Sequence, residues 1–155
     1  MTQLQSYEEI LQKGWDEIPE PQFLPDGSYR FRCTGAKVMP PKNADQSARC
    51  VFAMEPQEAM DDVNSDALAA LGEGYDISEN VIFPTIWLSK GTDWAKVRAI
   101  LTKLGVNLAD YDTIEASLKA AKGCEVIGYV TMRHYIDKAN KPQQENVIQT
   151  FAELS

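Results

Sequence analysis

The chain has 155 residues, 44% hydrophobic and 25% charged, with a formal net charge of −8. That length accommodates one domain with a real core, and that composition excludes a disordered chain. No run approaches the roughly 18 apolar residues of a membrane helix. The start, MTQLQSYEEI, lacks the basic beginning and apolar centre of a signal peptide, so a cytoplasmic protein with no membrane partner is expected.

Residues 4–15 predict a short amphipathic helix. Leu4, Tyr7, Leu11 and Trp15 recur at helical spacing beside Ile10, and Ser6 with Glu9 forms a capping-box pattern. Gly14 weakens its last turn. The following IPEPQFLPDG holds three prolines in ten residues and reads as an extended connector. Pro25-Asp26-Gly27 then turns into a first strand running from Ser28 to Val38. Tyr29, Phe31 and Cys33 alternate there with Arg30, Arg32 and Thr34, and Gly35 marks a bulge or bend.

A loop over 39–45 leads to a second strand at 49–55, with Cys50, Phe52 and Met54 in phase. Residues 56–76 break the strand pattern and predict a short helix after Asn64-Ser65-Asp66, ending at Gly72. A third strand is expected at 77–88, with Pro84 placing it at an edge or bulge. Two helices follow. Thr92 is expected to cap the first, which ends at Gly105 and buries Trp94, Val97, Leu101 and Leu104. Asp112 with Glu115 is expected to start the second, which ends at Gly123 with Ile114, Leu118 and Ala121 inward. Strands at 124–136 and 144–152 close the chain across the turn Asp137–Lys141.

Five strands with helices between the third and fourth is the order of an OB-fold. The expected class is therefore α+β: a five-stranded OB-type β-barrel over 25–155 with a helical acidic insertion, preceded by an acidic N-terminal arm over 1–24.

The charge is unevenly placed. Residues 1–26 carry six acids and one lysine, and residues 55–79 carry eight acids and no base. Residues 27–54 carry five bases against one acid, and residues 80–155 carry nine against eight. The framework outside the arm and insertion is thus net positive and compatible with a phosphate backbone.

No phosphate-cradling GxxxxGK[ST] loop, HExxH, CxxC or GxSxG occurs, and Leu71-Gly72-Glu73-Gly74 lacks dinucleotide-site spacing. His134 is the single histidine and has no signalled partner for a triad. Asp61, Asp62 and Asp66 lack the register of a calcium loop. Cys33, Cys50 and Cys124 are too widely spaced for a zinc site and read as reduced, largely buried thiols. Neither an enzyme nor a cofactor is indicated.

Pro25-Asp26-Gly27-Ser28-Tyr29-Arg30-Phe31, Lys103-Leu104-Gly105, Gly123 and the stretch from Asn146-Val147 to Phe151 resemble phage-encoded single-stranded-DNA-binding proteins, over roughly residues 25–152. The resemblance implies an OB-fold that coats single strands during replication, recombination or repair, without catalytic residues or cofactor. It departs at the C-terminus: TFAELS carries one acid where such proteins often have an acidic tail.

Sequence-tolerant binding of single strands needs cations along phosphates and aromatic faces for bases. Arg30 and Arg32 are expected outward, opposite the core pair Tyr29 and Phe31. Tyr129, Thr131, Arg133 and Tyr135 share one face of strand four. Lys42, Lys138 and Lys141 lie in the loops that commonly border an OB-fold groove, and Trp87 is a further stacking candidate. The expected nucleic-acid-binding set is therefore Arg30, Arg32, Lys42, Trp87, Tyr129, Arg133, Tyr135, Lys138 and Lys141. The strand residues have ordinary alternatives: arginines there commonly only solvate a surface, Tyr129 and Tyr135 can close a barrel side or pack under a helix, and Trp87 can be core. The competing function is an acidic protein-interaction module that binds a replication or nuclease protein through the anionic segments. A homo-oligomer is compatible with either.

Overall fold

Alternation of apolar and polar residues builds one five-stranded antiparallel sheet in this computed structural model, which describes residues 11–12 and 22–154. The strands are β1 (Gly27–Met39), β2 (Arg49–Ala59), β3 (Thr85–Trp87), β4 (Glu125–Ile136) and β5 (Pro142–Ala152). Their order across the sheet is β3-β2-β1-β4-β5, so β1 is central and β3 and β5 are the two edges. Apart from residues 11–12, the helix predicted over 4–15 lies outside the described residues, as do residues 18–21 of the connector.

Tyr29, Phe31 and Cys33 of β1, Cys50, Phe52 and Met54 of β2, and Val126 and Val130 of β4 are fully buried on one face. Two helices supply apolar side chains to the same core. α2 (Asp93–Lys103) buries Val97, Ile100 and Leu101, and α3 (Ile114–Ala120) buries Leu118. Gly128 has no side chain because none fits: a Cβ there would lie 2.9 Å from Ile148 Cγ2 and 3.0 Å from Phe31 Cε2.

The predicted bulge at Gly35 is present as a register shift between Cys33 and Gly35. It inverts the phase of β1. Before it, odd-numbered residues face the core; after it, Ala36 pairs with buried Phe52 and Lys37 points outward opposite Val51. A second shift between Arg30 and Phe31 leaves Gln57 of β2 as the extra residue.

Several expectations need correction. The second strand runs on to Ala59, so part of the acidic segment is strand. The third strand shrinks to Thr85–Trp87 plus an isolated bridge between Met54 and Ile82. Asp76 accepts from both the amide and the hydroxyl of Ser78, winding residues 77–79 into a 3-10 turn. Thr92 makes no side-chain cap; Asp93 Oδ2 instead accepts from the amides of Ser89 and Lys90. Thr113, not Asp112, caps α3 through the Ala116 amide. Ile114 points outward, 53% exposed, and Trp94 is half-buried against the core.

The acidic insertion is tied to the start of β1. Its helix α1 (Ser65–Ala69) is capped by Asn64, which accepts from the Ala67 amide. Asp62 accepts from the amide and hydroxyl of Ser28, both at 2.8 Å, and these bonds hold its carboxyl below the ordinary range. The connector is anchored at the opposite edge: Asn146 of β5 accepts from the Leu24 amide at 2.7 Å and donates to the Leu24 carbonyl at 3.0 Å. Asn80 donates to the Gln22 carbonyl at 2.7 Å. No helix of the described residues is long and apolar enough to cross a membrane.

Candidate nucleic-acid interface

Residues directly opposite one another on adjacent strands project to the same side of a sheet. The outward side of β1 and β4 therefore carries Arg30 and Arg32 together with Tyr129, which stands opposite Ser28 and is 38% exposed. Here the charges are met locally. Arg30 bridges Glu125 of β4 and Glu58 of β2, the latter at 3.3 Å. Arg32 donates to Gln57 Oε1 at 3.0 Å, and Gln57 in turn donates to Glu55 Oε1 at 2.9 Å, so its guanidinium is linked to a carboxylate through one amide.

Arg133 and Tyr135 do not sit beside these residues. β1 begins opposite Val130, so β4 beyond that point pairs only with β5 and forms a two-stranded ribbon. On it, Arg133 makes an ion pair with Glu145 at 3.3 Å while its guanidinium carbon lies 5.3 Å from the Tyr135 ring centroid. Lys138 and Lys141 are exposed at the ribbon's tip. Asp137 shapes that turn: its carboxylate accepts from the Lys141 amide at 2.9 Å and from Gln143 Nε2 at 3.0 Å, which lowers its pKa, the Lys141 bond contributing most. The expected face thus divides into a neutralised patch and a separate ribbon.

A different surface carries less compensated charge. On the outward side of β1–β2–β3, Met39, Arg49 and Trp87 form one cross-strand row and Lys37, Val51 and Thr85 the next. Rows two residues apart are separated by roughly 7 Å along a strand. The Arg49 guanidinium carbon lies 5.6 Å from the Trp87 ring centroid, and Trp87 remains 50% exposed. Lys42 is exposed in the loop joining β1 and β2, at the same end of the strands. The ion pairs among the described residues involve Arg30, Lys96, Lys119 and Arg133, and none involves Lys37, Lys42 or Arg49.

Trp87 and Arg133 come together at one place. Both line an open cleft of about 740 Å³ between the edges β3 and β5, along with exposed Phe83 and with Ile100 from α2. Of the nine residues expected at the site, Trp87 and Lys42 belong to the cationic row surface, Arg133 reaches the cleft, and Arg30 is occupied by carboxylates.

Sequence reasoning missed Arg49 and Lys37. Arg49 was legible, because Cys50, Phe52 and Met54 inward put residue 49 outward. Lys37 was not, since strict alternation from Tyr29 assigns it to the core and only the Gly35 bulge reverses that. Among the described residues no cluster of His, Cys, Asp or Glu has metal-site geometry. Neither the protein-family models nor the curated proteins include a match to this chain.

Proposed function

We propose that this protein binds single-stranded nucleic acid, DNA in the first place, without sequence preference, in phage-type replication, recombination or repair in the host cytoplasm. The observation that carries the reading is the half-exposed Trp87 ring held against Arg49, next to Lys37 and Lys42. An aromatic face with adjacent cations that pair with no carboxylate among the described residues meets the two requirements of sequence-tolerant binding, base stacking and phosphate neutralisation. The strand order supports an OB-type barrel, since bringing β3 against β5 across the cleft would close the sheet with the row surface on its outside.

The test is anisotropy of a labelled oligo-dT titrated with the full chain at several salt concentrations. Binding that weakens steeply with salt is expected, because phosphate neutralisation releases counterions. No binding at low salt removes the proposal.

A second reading rests on the insertion, whose Asp61, Asp66, Glu73 and Glu79 are exposed with no basic residue between 55 and 79. Such a surface suits a basic site on a replication or nuclease protein. Charge reversal at these four positions is expected to abolish recovery of such a partner while leaving oligo-dT binding intact.

A further inference from the structure

A third cross-strand row lies beyond the two that carry Trp87 and Lys37. Thr85 stands opposite Val51 and Ile82 opposite Met54, and the Phe52 amide donates to the Pro84 carbonyl at 3.0 Å. That register puts Phe83 opposite Ala53, whose partner on β1 is Gly35. Phe83 therefore projects to the same outward side as Thr85 and Trp87, and it is 59% exposed. Its two neighbours in the row are a methyl group and a glycine, which leave the sheet beside the ring open. A Cβ at Gly35 would meet nothing within 4 Å.

The three rows sort aromatic groups to one border and cations to the other. Trp87, Thr85 and Phe83 follow one another along β3 and the residues just before it, which sets the two rings about 13 Å apart along the chain. Lys37 stands on β1, two strand spacings or roughly 10 Å across the sheet, and Arg49 stands on β2 at the Trp87 end. No residue of the three rows is an acid. The next row pairs Arg32 with Glu55 and brings the first carboxylate. A single strand of nucleic acid has the same two-sided character, since its bases project away from a line of phosphates. Rings and cations are both reached by one strand that runs along β2, its bases toward Phe83 and Trp87 and its phosphates toward Lys37.

Resting on the single-strand reading above, we propose that Phe83 is a second base-stacking platform, used by the same strand as Trp87, and that the open floor of Ala53 and Gly35 receives the base stacked on it. The bound strand then follows β2 and leaves the surface at the row that holds Glu55.

The test is anisotropy of labelled oligo-dT at low salt with the full chain and its variants. Phe83→Leu keeps apolar bulk but removes the ring, and a loss of affinity of roughly tenfold is expected, the scale of one base stack. Phe83→Tyr keeps the ring and should bind as the natural chain does. Gly35 lies outside the left-handed φ region and has room for a side chain, so Gly35→Leu should fold with an unchanged urea midpoint, cover the floor and weaken binding several-fold. Irradiation of a bound oligonucleotide carrying iododeoxyuridine should give adducts on both Phe83 and Trp87. Natural affinity in Phe83→Leu and Gly35→Leu beside a weakened Trp87→Ala, or adducts on Trp87 alone, overturns this inference and leaves the single-strand reading standing. No binding by the natural chain removes both.

Discussion

Arg49 and Trp87 face each other across the β2–β3 pairing, guanidinium over indole at 5.6 Å, on the outward side of the sheet. A cation against one face of an indole leaves the other face free and holds the ring in a fixed orientation. That pre-organisation is what a stacking platform requires, because a freely rotating side chain has to be ordered on binding.

If the row surface carries binding, Trp87→Ala should weaken oligo-dT affinity by about 1–3 kcal/mol, the scale of one lost base stack. Arg49→Gln and Lys37→Gln should each reduce the slope of log affinity against log salt, by about one unit per lost phosphate contact. Arg30→Gln should leave that slope alone, since its charge already faces Glu58 and Glu125. A salt titration of the four variants decides this. A large slope change for Arg30→Gln with none for Arg49→Gln would move the interface to the β1–β4 face.

Gly128→Ala should destabilise the fold by about 1–3 kcal/mol, the range for overpacking a filled core. The added methyl meets Ile148 and the Phe31 ring at once, from two different strands. Gly27→Ala should cost at least as much, because a Cβ there falls 2.6 Å from Val63 Cγ2 at a φ of +145°. Urea denaturation midpoints of the two variants test both values.

The three thiols should differ in reactivity. Cys33 and Cys50 are fully buried, and burial pushes both up, Cys50 to about 11. Cys124 is half-buried and donates only to the Ala120 carbonyl. At neutral pH a thiol reagent should therefore label one site rapidly and the other two only on unfolding, with the fast adduct mapped to Cys124 by peptide mass. Equal rates at all three would contradict the burial of β1 and β2.

The Asp62–Ser28 tie should make stability fall in acid. Asp62 is held below its ordinary value of 3.8 by the Ser28 amide and hydroxyl. A depressed carboxyl adds stability that is complete above its unfolded value and is lost as pH falls through the folded one. The window lies below about pH 4. Across it, Asp62→Ala should show a shallower decline in denaturation midpoint than the natural chain, and parallel declines would remove Asp62 from the account.

Element types were legible wherever alternation was unbroken: Tyr29, Phe31, Cys33 and Cys50, Phe52, Met54 read correctly as two inward faces. Boundaries slipped where a side chain outcompeted the backbone pattern, as at Asp76, Asp93 and Thr113, each of which captures amides that periodicity assigns to strand or leaves to a neighbour. The candidate interface was less legible for a different reason. Composition locates arginines on strands but not the acids opposite them, and Glu125 meets Arg30 only because residues 95 positions apart come into register. The phase inversion at Gly35 likewise carries Lys37 across the sheet through a single extra residue.

The Leu24–Asn146 pair of bonds joins residues 122 positions apart. During synthesis the β1–β2 hairpin can form early, but β1 keeps one unpaired flank until β4 emerges, and the connector finds its anchor only when β5 has left the ribosome. Assembly of this sheet is therefore governed by its last strand, β5. Deleting the β5 residues from Asn146 to Ala152 should prevent maturation of the whole sheet rather than trim one border.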